Sequence, residues 1–205
     1  MTFMNKVHWT LDPGRCALLL HDLQPHYLER LSDRESVIAN AGQIARQCVR
    51  QGVPVFASQV PWTREIRERG LMMDMWGRGP GSSSPALDPE LGLAEHEVRL
   101  LAKRSYSAFC GNDFEVSLRR LGKDSIIIAG VYTSIGCYLS AADAFMRDIR
   151  VFLVSDASAD FELTDHLAGL AAAAKTCARV VTTAQTLECL RGTARPAFSH
   201  RIDVC

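Results

Sequence analysis

Apolar residues cluster in six short runs: residues 15–22, 53–58, 98–102, 125–129, 151–154 and 180–181. Each is too short for a stable helix, most are rich in β-branched residues, and polar residues, glycine or a turn close them, so they read as buried strands. Between them lie stretches of helical period. Residues 37–51 repeat apolar positions every three to four residues and stop at Gly52, a good helix terminator. Further helices are predicted over 113–121, 136–147, the alanine-rich 163–177 and 186–190. Strands alternating with helices of this length require right-handed crossovers and a sheet covered on both faces. The expected fold is α/β: a three-layer α/β/α sandwich around a six-stranded, mostly parallel, Rossmann-like sheet. No internal repeat is visible, and 1–205 reads as a single domain.

Three places in this pattern invite chemistry. The run 125–129 ends in a turn at Gly130 and leads into small, helix-compatible residues from Gly136, and such strand–turn–helix junctions are where α/β sheets place ligands. Asp22 closes the first strand, where it can act as a catalytic group or merely cap the next helix. Lys103 closes the third; the residues alone leave it either functional or a solvated, snorkelling side chain. Tyr106 and Phe109, just after it, are equally compatible with ordinary core packing. The least regular stretch, 61–89, contains Met75-Trp76-Gly77 and a Gly/Ser/Pro-rich segment; a loop this long in a compact domain tends to carry function. The tail after Arg191 shows no core pattern and is expected to be mobile or to pack on a partner chain.

Composition narrows the partners. With 47% hydrophobic and 22% charged residues the 205-residue chain is ordinary for a globular domain. Its formal net charge of +0 gives no reason to expect nucleic acid or an anionic membrane surface, although a local basic cluster for a small anion remains compatible. The N-terminus has no apolar leader core and no run is long enough to span a bilayer, so a cytoplasmic location is expected. Seven scattered cysteines, without CxxC pairs or cysteine–histidine zinc spacing, read as reduced, mostly buried thiols with no metal site.

The motifs, taken in order, resemble the isochorismatase-like hydrolase superfamily: His21-Asp22-Leu23-Gln24, Met75-Trp76-Gly77, Lys103 with Tyr106-Ser107-Ala108-Phe109, the glycine junction, Asp143 to Ile149, and Asp156-Ala157. The likeness runs from about residue 15 to 188. Most members carry a nucleophilic cysteine where this chain has Gly136; a similar glycine marks the branch of isochorismatases and phenazine-pathway hydrolases, which use no covalent nucleophile. The resemblance implies that Asp22 and Lys103 are catalytic. It implies that Gln59, Arg69, Tyr27, Trp76, Tyr106, Tyr132 and Gly136 bind substrate, and that the Val131–Tyr132 peptide is cis. It implies no cofactor and a homo-oligomer, commonly a dimer.

The activity so implied is hydrolysis of the enolpyruvyl ether of isochorismate or 2-amino-2-deoxyisochorismate, in a chorismate-derived route such as siderophore or phenazine biosynthesis. The partner is then a small anionic cyclohexadiene carboxylate. Protonating the vinyl methylene makes an oxocarbenium ion, water adds, and collapse releases pyruvate. Asp22 is the expected general acid; desolvation helps it hold a proton and a nearby lysine opposes this, which is resolved if Lys103 pairs with a substrate carboxylate. Gly136 is expected to leave a nucleophile's space open and to present helix-start amides to an anion. Arg104-Ser105 stands where the family has Trp-Arg, and Thr133-Ser134 where it has Ala-His, so recognition of the ring substituent is expected to differ. No carrier domain follows, which suggests a stand-alone biosynthetic enzyme. Two alternatives stay open: an amidohydrolase using Cys137 or Cys110 as nucleophile, and a non-catalytic binding protein on the same fold.

Overall fold

A computed structural model of the chain describes residues 3–63 and 65–192. Its six parallel strands are β1 Cys16–His21, β2 Val55–Gln59, β3 Val98–Ala102, β4 Ser125–Val131, β5 Arg150–Ala159 and β6 Arg179–Val181. They are ordered β3-β2-β1-β4-β5-β6. The helices are α1 Pro25–Leu28, α2 Arg34–Arg50, α3 Met72–Trp76, α4 Phe114–Arg120, α5 Tyr138–Phe145, α6 Leu163–Thr176 and α7 Thr183–Arg191. The expected three-layer α/β/α architecture is therefore present. The tail after Gly192, including Cys205, lies outside the described residues.

The period-two alternation of strand side chains divides the core into two layers. Leu18 and Leu20 of β1, with Ile127 and Phe152, meet Ile38, Ala41, Ile44 and Cys48 of α2 and Leu187 and Leu190 of α7. Ala17 and Leu19, with Ile126, Ile128 and Leu153, meet Phe114 and Leu118 of α4, Ala141 and Ala144 of α5, and Leu170 and Ala173 of α6. Each fully buried leucine or isoleucine contributes about 1.5–3 kcal/mol. β1 is solvent-free along its whole length. β3, an edge strand, is mostly exposed, and only Leu101 among its residues is buried.

The chain runs outward from β1 through β2 to β3, then returns to the other side of β1 for β4 and continues to β6. A crevice must open where the crossovers diverge, at the carboxyl ends of β1 and β4. The two strands touch closely there: a Cβ on Gly130 would lie 2.1 Å from the His21 carbonyl oxygen, and its φ of +140° suits glycine. Alongside, the β4–β5 register slips between Ile128 and Gly130, so that Gly130 faces Ser158 while Ile128 faces Leu153. This bulge lengthens β5 beyond the predicted 151–154 and carries its polar end to the same rim.

Candidate active site

Four strand ends converge on this crevice. Asp22 follows β1 with φ +49°, a left-handed conformation that aspartate tolerates better than most residues. Ser58, paired in register with His21 across β1 and β2, locks the turn: its hydroxyl donates to Asp22 Oδ1 at 2.7 Å and accepts from the Asp22 amide at 3.1 Å. Gln24 then ties the chain to the exit of β2, accepting from the Val60 amide at 2.8 Å and donating to its carbonyl at 3.4 Å.

Lys103 follows β3 and is only 2% exposed. Its ammonium lies 2.8 Å from Asp22 Oδ2 and donates to the carbonyls of Ser105 at 2.8 Å and Tyr106 at 3.3 Å. An ammonium has three protons, and all three have oxygen partners. Because Ser105 supplies only a backbone carbonyl, its departure from the family pattern leaves this placement intact. His21 is fully buried with its Nδ1 3.6 Å from Asp22 Oδ2. Burial lowers its pKa, outweighing the opposite pull of Asp22, so the imidazole is neutral.

The opposite wall is aromatic. Tyr132, in the cis Val131–Tyr132 peptide, stacks on Phe161 with centroids 4.0 Å apart, and Phe161 stacks on Trp76 at 6.0 Å. Tyr27 meets Tyr132 edge-on at 6.3 Å, and the Tyr132 hydroxyl donates to the Tyr27 carbonyl at 2.9 Å. Burial pushes the Tyr132 phenol up to about 12, so it stays protonated. The Trp76 indole donates to the Tyr106 hydroxyl at 2.9 Å, which pins α3 across the opening.

Between these walls is a cleft open to solvent, enclosing about 420 Å³ of space including its mouth. Asp22, Tyr27, Trp76, Lys103, Tyr106, Tyr132 and Gly136 all line it, with Val60, Met72, Val131 and Ile135. Of the other predicted residues, Arg69 lines an adjoining space of about 230 Å³ that shares Lys103 and Val60. It is 8% exposed; Nε donates to the Gly77 carbonyl at 3.2 Å, and Nη2 has no partner among the described residues. Gln59 lines neither space; its carbonyl accepts from the Lys103 amide at 3.0 Å.

Two expectations about Gly136 need correction. The space beside it is not open, because the His21 imidazole fills it: a Cβ on Gly136 would lie 2.3 Å from His21 Cε1. Nor do the neighbouring amides all point outward. Residues Thr133–Cys137 form a π-type turn, after which α5 starts at Tyr138 rather than 136. The amides of Ile135 and Cys137 bond the Tyr132 carbonyl, and that of Ser134 bonds Asp160 Oδ2 at 2.6 Å. The second departure is also absorbed locally, since the Thr133 hydroxyl lies 2.8 Å from His166 Nδ1 on α6.

Cys137 is fully buried among Ala141, Ala144 and the β4 isoleucines, and burial raises its thiol well above the usual range. A thiol so placed lacks the solvent access and thiolate character that a nucleophile needs. Sequence reading passed over Ser58 and Phe161. Strand register was the available signal for Ser58; Phe161 follows an unforeseen bulge and gave none. Among the described residues, no group of three or more His, Cys, Asp or Glu is placed to hold a metal ion. Nor is any helix among them long and apolar enough to cross a membrane.

Comparison with known proteins bears on the whole of this arrangement. Residues 16–185 match the isochorismatase domain. Phenazine biosynthesis protein PhzD1 of Pseudomonas aeruginosa is 39% identical over 187 residues, covering 90% of each chain. Isochorismatase of Bacillus subtilis is 37% identical, over 91% of this chain and 62% of its own length. Among solved structures, a cysteine hydrolase from Pseudomonas syringae superposes with a TM-score of 0.82 over 91% of this chain and 97% of its own. At 20% identity that likeness concerns the fold alone. A domain match spanning most of the strands and helices, together with relatives approaching two-fifths identity, leaves one assignment: the chain belongs to the isochorismatase family.

Proposed function

We propose that this protein is an isochorismatase-type hydrolase that cleaves the enolpyruvyl ether of isochorismate or 2-amino-2-deoxyisochorismate by acid catalysis, without a covalent intermediate. The observation that carries the reading is the Asp22–Lys103 pair on the cavity wall beside Gly136, which offers no side chain, while the adjacent thiol of Cys137 is buried in the core. An acid is on hand and a nucleophile is not. The names of the relatives point to the same substrate class.

The steps balance with water alone. The Asp22 carboxyl gives its proton to the terminal vinyl carbon, and the ether oxygen stabilises the resulting cation. Water adds to the cationic carbon and returns a proton to the Asp22 carboxylate. The hemiketal then collapses, breaking the bond between the ether oxygen and the pyruvyl carbon and releasing pyruvate and the ring alcohol. Lys103 changes partner in this scheme: a substrate carboxylate takes over its ammonium, leaving Asp22 free to carry the proton. The unpartnered Arg69 Nη2 is suited to the second carboxylate, since a buried guanidinium proton without an acceptor costs about 1–3 kcal/mol that an anion relieves. The aromatic wall holds the ring in place and keeps water from competing for the acid.

The test is pyruvate release from purified protein given each substrate separately, with Asp22→Asn as control. Release that disappears in the variant supports the reading and ranks the two rings. Absence of release from both substrates, or undiminished release from Asp22→Asn, overturns it.

A further inference from the structure

His21 is the buried group closest to this chemistry for which the scheme above has no use. It is 0% exposed, and both ring nitrogens face backbone carbonyls: Nδ1 lies 3.0 Å from the Val131 oxygen and Nε2 lies 3.2 Å from the Tyr106 oxygen. A neutral imidazole carries one N–H, so it donates to one of these carbonyls and packs against the other, filling the space between the end of β4 and the loop after β3. Tyr106 O accepts from Lys103 Nζ at 3.3 Å, so the ring lies against an oxygen that the lysine uses. The shorter distance to Val131, and the existing donation from Lys103 to Tyr106, favour the tautomer with the proton on Nδ1.

The ring is also wedged against Gly136. A Cβ there would meet Cε1 at 2.3 Å, Nδ1 at 3.0 Å and Nε2 at 3.1 Å, so it would strike the face of the ring. Ordinary cavity-lining side chains swing aside from such a contact. This one cannot without abandoning its carbonyl partner in a site with no water-accessible surface.

We propose that His21 is a positioning residue of this active site: seated in the volume that any side chain at 136 would need, it donates to the Val131 carbonyl and packs against the Tyr106 carbonyl that Lys103 uses, and thereby sets where Lys103 and Asp22 face the substrate. Positions 21 and 136 are in consequence coupled, although 115 residues apart. The kinetic half of this proposal rests on the vinyl-ether reading; the packing half does not.

A cycle of four proteins tests it: wild type, Gly136→Ala, His21→Ala and the double variant, each followed by thermal melting and by pyruvate release. The added methyl should lower the melting temperature by several degrees when His21 is present and by little or nothing when it is absent. A Gly136→Ala protein that cannot be purified folded, beside a double variant that can, is the same result in its extreme form. Equal cost in both backgrounds overturns the coupling. For the kinetic half, His21→Ala should lower kcat at least tenfold with KM changed less than about threefold. His21→Gln, whose amide can still donate to one carbonyl, should recover part of that loss. Wild-type kcat in folded His21→Ala, or a loss confined to KM, overturns the positioning role. If wild-type protein turns over neither substrate, the positioning role falls together with the vinyl-ether reading, while the melting cycle still decides the coupling.

Discussion

On one side of the cavity, Asp22, Ser58 and Lys103 interlock through charge-assisted and hydroxyl bonds at the ends of three parallel strands, with His21 packed beside them. On the other, Tyr132, Phe161 and Trp76 stack in a row with Tyr27 edge-on at its end, drawn from the β4 junction, the segment after β5, α3 and α1. The polar side is nearly solvent-free, and its atoms are fixed by specific partners. The aromatic side is half-buried and held by surface contact plus two side-chain hydrogen bonds, Trp76 to Tyr106 and Tyr132 to the Tyr27 carbonyl. Reaction geometry needs tolerances well under an ångström, which strand ends supply. Ring recognition tolerates sliding, which stacked rings permit. The division implies that changes on the polar side fall on kcat and stability together, and changes on the aromatic side fall mainly on KM.

The largest break in that division is expected from Lys103→Met. It strands a buried carboxylate without its cation, and should cost about 3–5 kcal/mol in urea unfolding while also abolishing turnover. Next comes Asp22→Asn, which keeps an oxygen for the Ser58 hydroxyl but removes the acid; kcat for pyruvate release should fall about 10³-fold, the usual scale of general-acid catalysis. Phe161→Ala takes the middle ring out of the row, and KM should rise about tenfold with kcat within about threefold of wild type. A fall in kcat as large as that of Asp22→Asn would mean the two sides are not separable. Trp76→Phe keeps the stack but deletes the bond to Tyr106, worth about 0.5–1.5 kcal/mol, and should raise KM by only about threefold.

A pH titration sharpens the comparison from the stability side. Burial holds His21 below its ordinary value of 6.5, so the unfolded chain takes up that proton first. The associated stability is complete above about pH 6.5 and is lost as pH falls below it. Melting temperatures should therefore decline between about pH 7 and 5.5, and less steeply in His21→Gln. An unchanged slope in the variant would show that His21, despite Asp22 and Lys103 beside it, contributes nothing to the acid response.

The polar side was also the more legible side. Apolar runs betray β1 and β4 because both are buried on two faces, and a charged residue directly after such a run stands out, as Asp22 and Lys103 do. Even β3, whose edge position leaves most of it exposed, kept enough β-branched and leucine content to be recognised at 98–102. What pattern cannot convey is proximity without periodicity. Phe161 reaches the site only because the strand before it bulges, and the polar Ser155-Asp156 segment that forms the bulge reads as a strand's end. The π-type turn at Thr133–Cys137 depends on where the Tyr132 carbonyl points, which no composition encodes. Within 61–89, Met75-Trp76-Gly77 was visible as a motif, but the helix it closes and its bond to Tyr106 arise from docking.

The contact between His21 and Gly136 also has a historical reading. Adding a Cβ at 136 while the imidazole stays in place demands a 2.3 Å approach, so mutation away from glycine is penalised unless position 21 has first become smaller. The reverse order is open, since a smaller residue at 21 meets no clash with glycine. Descent through this pair therefore has a favoured first step: a lineage leaving this arrangement meets the smaller stability loss at 136 if it has given up the histidine while still holding the glycine.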